Sequence, residues 1–117
     1  MNHKVTIFHR QNGDFFHNFD PEHDGLEFAY SYLADETEVG LETIFRQNNA
    51  VDGSEYNCQF EKRSLSVGDV VQISPLPEEP RLGAKFHAVA GIGFDEITEL
   101  DLVRAVAHYG NVWPTPA

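Results

Sequence analysis

The chain has 117 residues, 41% of them apolar, with 19 acidic side chains against 8 basic and a net charge of −11. That length provides one domain with a modest core, and that apolar share excludes a disordered polyelectrolyte. The lone Cys58 excludes an internal disulfide and fits a reducing compartment.

The charge is unevenly spread. Residues 11–45 carry Asp14, Asp20, Glu22, Asp24, Glu27, Asp35, Glu36, Glu38 and Glu42 and no Lys or Arg, which is −9 of the net −11. Such a block repels phosphate and argues against direct contact with nucleic acid. It suits either a solvated surface or a face that occupies a basic site on another protein. No segment reaches the ~20 apolar residues of a membrane span, and Met1 to Val5 opens no signal peptide. The expectation is a cytoplasmic protein that does not insert in a membrane.

In chain order, Val5–Arg10 reads as a strand. Asn12-Gly13 is the pair favoured in a two-residue type I′ turn, so Asp14–Phe19 is expected to return as the hairpin partner. Asp24-Gly25-Leu26-Glu27 reads as a capped helix start, with Leu26, Ala29, Tyr30 and Leu33 on one stripe. A second amphipathic helix carries Leu41, Ile44, Phe45 and Asn48 at the same spacing and ends at Asn48-Asn49. Both are expected to lie on a sheet face.

Ser66-Val67-Gly68-Asp69 predicts a turn with positive φ at Gly68, feeding a central or near-central strand over Val70–Ser74. In that strand Val71 and Ile73 should face opposite Val70. The prolines at 75, 77 and 80 stop it and favour a stiff extended loop. Lys85–Ile92 reads as a further strand, with Phe86, Ala88 and Ala90 on one side. Thr98 with Asp101 predicts a capping box, and Ile97 with Leu102 a staple, for a last helix ending at Gly110. The fold class is therefore α+β: a single domain over residues 1–117, with an antiparallel or mixed sheet of about three to five strands packed by two or three helices.

Few residues suggest chemistry. His17 to Asp24 offers two imidazoles and three carboxylates, donor types that suit a divalent metal and would support a small metal-dependent hydrolase. The spacing matches no metal motif, and Pro21 and Asp24 already serve a turn and a cap, so no metal is assigned. Cys58 with His87 or His108 lacks a nucleophile motif and reads as a small buried side chain. Gly91-Ile92-Gly93 has too few glycines for a nucleotide loop and reads as a bulge or close approach at a strand end. No catalytic residue and no cofactor are assigned.

Three stretches resemble the YodL-like domain: Leu41-Glu42-Thr43-Ile44-Phe45-Arg46-Gln47-Asn48, then Gln59 through Arg63-Ser64-Leu65-Ser66-Val67-Gly68-Asp69-Val70-Val71, then Val89-Ala90-Gly91-Ile92-Gly93-Phe94. Residues 50–56 depart from the His-Pro link of such domains, and the proline loop at 75–80 is longer than their connection. The resemblance implies a protein of phages or other mobile elements, with no catalytic residues to carry over. The expected function is a non-enzymatic accessory protein that binds and modulates a host protein. The alternative is an acidic DNA mimic that inhibits a host nucleic-acid-binding protein. The partner-binding residues expected are Leu76 in the proline loop, Trp113 in the tail, and Glu36, Glu38 and Glu42 on the acidic surface. The oligomeric state is left open.

Overall fold

The computed structural model describes residues 3–11, 18–20, 23–49, 53–76 and 83–108. Among these residues five strands form one antiparallel sheet in the order β2-β1-β3-β4-β5. They are β1 His3–Arg10, β2 Leu26–Ala34, β3 Val70–Pro75, β4 Lys85–Val89 and β5 Phe94–Ile97. A single 3-10 turn at Glu36–Glu38 precedes α1 Leu41–Gln47; α2 Tyr56–Gln59 and α3 Glu99–His108 complete the chain order. This is the expected α+β domain.

Helices cover both faces, so the described residues form two cores separated by the sheet. On one face Val5, Ile7, Tyr30, Tyr32, Val71 and Val89 pack with Ile44 of α1, Leu65 and the half-buried Tyr56 of α2. On the other, Phe8, Leu26, Val70, Phe86 and Ala88 pack with Leu102, Ala105 and Val106 of α3. The central strand β3 supplies Val71 and Ile73 to the first face and Val70 to the second, as its alternation predicts.

The helix predicted from Leu26 is instead β2. Its buried residues Tyr30, Tyr32 and Ala34 recur at period two, and the aromatics of Phe28-Ala29-Tyr30-Ser31-Tyr32 favour a pleated strand. Ile7 pairs with Tyr30 but Phe8 with Phe28, so Ala29 is an extra, bulged residue. The bulge flips the faces, which lets Leu26 join one core and Tyr30 the other. Consequently β1 closes with β2 rather than with Asp14–Phe19; residues 12–17, including Asn12-Gly13, lie outside the described residues. Asp24 caps no helix.

The strand read over Lys85–Ile92 ends at Val89. The chain turns through Ala90–Gly93, where Ala90 N–H donates to the Gly93 carbonyl at 3.0 Å and Gly93 has φ of 72°, and returns as β5. Two glycines in four residues mark that reversal, not a bulge. Pro75 is the last residue of β3, paired with His3, because a strand end can forgo the missing N–H. The α3 cap is as predicted: Thr98 Oγ1 accepts from Asp101 N–H at 3.1 Å, and Thr98 N–H donates to Asp101 Oδ2 at 3.2 Å. The described part of α3 ends at His108, short of Gly110.

Candidate functional site

The most conspicuous sequence segment is a structural fastening. Asp69 is fully buried, and its carboxylate takes four donors. Arg63 Nη1 and Nη2 donate to it in a fork at 2.7 and 2.8 Å, and the backbone N–H groups of Ser66 and Arg10 donate at 2.7 Å each. Arg63 Nη2 also reaches the Arg10 carbonyl at 3.2 Å. The spacing of Arg63 and Asp69 thus closes a loop and locks it onto β1. A paired carboxylate saturated with donors has no free lone pair for catalysis.

Gly68, with φ of 91°, completes this arrangement, because a Cβ there would overlap the Arg10 guanidinium. Arg10, buried in turn, ion-pairs with Asp24 at 3.4 Å and donates to the Asn18 carbonyl at 3.4 Å. Asp24 also accepts from Asp20 N–H at 2.7 Å. The acidic segment that resembled a metal cluster is therefore split. Asp24 turns inward, His23 Nδ1 meets Asp20 Oδ2 at 2.8 Å on the surface, and His17 lies outside the described residues. Among the described residues no three His, Cys, Asp or Glu side chains gather to hold a metal.

A second buried polar network holds α1 to β2. Tyr30 donates its hydroxyl to Asn48 Oδ1 at 2.7 Å, while Asn48 Nδ2 donates to Tyr32 Oη at 2.9 Å and to the Ile44 carbonyl at 2.7 Å. Phe60 stacks on Tyr30 with centroids 4.7 Å apart, and Tyr56 on Tyr32 at 3.7 Å. Burial pushes both β2 phenols well above the ordinary tyrosine range. Tyr56 is raised as well, by burial first and then by the Glu38 carboxylate, so it stays a hydroxyl donor.

Beside this aromatic layer Arg46, Gln47, Ser54, Glu55, Tyr56 and Gln59 line an open cleft of about 380 Å³ between α1 and α2. Its lining mixes a guanidinium, amides, a carboxylate and a phenol, groups suited to hydrogen-bonding a polar surface. The acidic rim is joined to it. Glu38 accepts from Asp35 N–H at 3.2 Å and from Gln47 Nε2 at 3.4 Å, while Glu36 and Glu42 are exposed.

The structure brings most of the expected partner-binding residues to one region. His3 on β1 pairs with Ala34 on one side and Pro75 on the other, so Asp35–Glu38 and Leu76 leave the same end of the sheet. Two inter-strand spacings put those exits about 10 Å apart. Leu76 is half-buried there. Trp113 lies outside the described residues. Cys58, expected to be buried, is half-buried on α2 with a free thiol. Among the described residues no hydrogen bond or ion pair joins it to His87.

Sequence reasoning missed Tyr56 because the four-residue α2 is too short to leave a periodic pattern, and missed Arg46 and Gln47 because only the approach of residues 54–59 to α1 makes a cleft of them. It also missed exposed apolar side chains: Ile92, 97% exposed at the β4–β5 turn, and Phe45 on α1, which meets Phe94 edge-on. Compared with protein-family models, curated proteins and solved structures, the chain matches none. The stretches quoted for the YodL-like resemblance fall on α1, on the Arg63–Asp69 loop into β3, and on the β4–β5 turn.

Proposed function

We propose that this chain is a YodL-like accessory protein of a phage or other mobile element, which binds a host protein in the cytoplasm and modulates it without turning over a substrate. The observation that carries this reading is the common exit of Leu76 and the carboxylates of Glu36 and Glu38 at one end of the sheet, with Glu42 one helix start further on. Apolar anchor and charged rim side by side are the usual parts of a protein interface. A free Cys58 accords with a reducing compartment, and among the described residues no helix is long and apolar enough to cross a membrane.

The test is capture of host proteins on the immobilised chain, compared with Leu76→Ala and with a variant carrying Glu36→Gln, Glu38→Gln and Glu42→Gln. A specific captured protein that both variants lose, with melting temperatures within a few degrees of the parent, is the expected result. Unchanged capture by both variants refutes the surface. Loss in the glutamine variant alone, with binding that collapses steeply as salt rises, transfers the reading to a DNA mimic.

A further inference from the structure

β2 is an edge strand of nine residues, and β1 occupies its inner side. Among the described residues, Glu27–Ala34 make no main-chain hydrogen bond except to β1. Folded proteins guard free edges by shortness, charge, proline or bulges, because unpaired N–H and C=O groups template another strand. The opposite edge follows that rule: β5 has four residues, two of them Asp95 and Glu96. β2 does not. It contains no Lys or Pro, Glu27 is its single charge, and its bulge at Ala29 lies in its first half. Tyr30–Ala34 is left as a regular five-residue run, an ordinary strand length. Leu33, 50% exposed, stands on it as a contact for an incoming apolar side chain.

Charge decides the occupant. The run is bracketed by Glu27 before it and by Asp35, Glu36 and Glu38 after it. Antiparallel pairing of two copies would set acidic end against acidic end and join two chains of charge −11. Basic residues at both ends of an added strand would instead meet carboxylates. We infer that β2 accepts, by strand addition along Tyr30–Ala34, an extended segment of a partner protein in which an alternating apolar run is flanked by Lys or Arg. This rests on the reading of the chain as a protein-binding module and specifies the chemistry of what it binds. The added main-chain bonds provide affinity, and the side chains beside Leu33 and the acidic ends provide selection.

The probe is a nine-residue peptide of alternating Val and Thr with two basic residues at each end, added to the isotope-labelled full chain. Every second amide of an edge strand points outward, so alternate amides within Tyr30–Ala34 should gain about tenfold protection from hydrogen exchange. The same peptide with Glu at its ends should not protect them, and Leu33→Lys should weaken binding about tenfold while leaving the fold unchanged. Equal protection by the acidic peptide overturns the inference. So does protection that grows with protein concentration alone, which is self-pairing, or binding confined to the α1–α2 cleft. If β2 stays unprotected while the glutamine variant still loses its captured host protein, strand addition fails and the binding reading survives.

Discussion

Gly68 and Arg10 show how single residues set the limits of this fold. The positive φ of Gly68 costs a residue with a Cβ about 1–3 kcal/mol. The new side chain would also displace the buried Arg10 guanidinium from Asp24, and breaking a buried pair costs about 3–5 kcal/mol. Gly68→Val should therefore destabilise by more than about 3 kcal/mol, a larger loss than backbone strain alone, read from the urea midpoint at constant m. A loss of only about 1–3 kcal/mol, the backbone strain alone, would mean that Arg10 moves aside freely. His9 is a second sensitive point. It is buried edge-on to Tyr30, its Nε2 has no hydrogen-bond partner among the described residues, and burial lowers its pKa to about 4 against the pull of Asp69. Folding then requires the neutral imidazole, so its contribution is complete above the unfolded value of 6.5 and is lost as pH falls toward 4. At roughly 1.4 kcal/mol per pH unit, stability should drop by about 3–4 kcal/mol across that whole transition, and His9→Phe should flatten the drop in denaturation curves taken across those limits.

Among the secondary elements, legibility followed local cause. β3, α1 and α3 were readable because turn, period and cap agreed within a few residues: Gly68-Asp69 before Val70, Asn48 after Gln47, and Thr98 with Asp101. β2 was not, because Leu26, Ala29, Tyr30 and Leu33 satisfy a helical period by coincidence. The alternating burial of Tyr30, Tyr32 and Ala34 is broken at Ala29 by a bulge that only the partner strand reveals. Asp24 misled in the same way. Its side chain reads locally as a cap, yet it serves Arg10, 14 residues earlier. The candidate site was half legible, since Glu36, Glu38, Glu42 and Leu76 stand out by charge and by prolines, whereas the Tyr56 cleft depends on two chain segments meeting. The α3 cap provides a clean check on local reading. Thr98→Ala removes the acceptor for Asp101 N–H and should cost about 1 kcal/mol, near 4 °C in melting temperature for a domain of this size. An unchanged melting temperature would show that α3 is held by Leu102 and Val106 alone.

For the whole molecule, the charges divide into two populations with opposite effects. Arg10 with Asp24 and Arg63 with Asp69 are largely buried pairs, little affected by dissolved salt. The exposed carboxylates of Glu36 and Glu42 are different, since residues 11–45 offer no basic side chain to balance them. A net charge of −11 on one small domain repels itself, and an exposed field of that kind is screened over about 10 Å at 0.1 M salt. Raising sodium chloride from ~10 mM to ~0.3 M shortens the screening length several-fold and should raise the urea midpoint, because repulsion is relieved while the buried pairs are left intact. The same salt should weaken capture of a basic partner, since the carboxylates that strain the free protein attract the ligand. Stability and affinity are thus expected to move in opposite directions along one titration. A midpoint that falls with salt would place the dominant electrostatics in attractive surface pairs. Capture that is indifferent to salt would remove the acidic rim from the binding site and leave the apolar contacts around Leu76 to account for it.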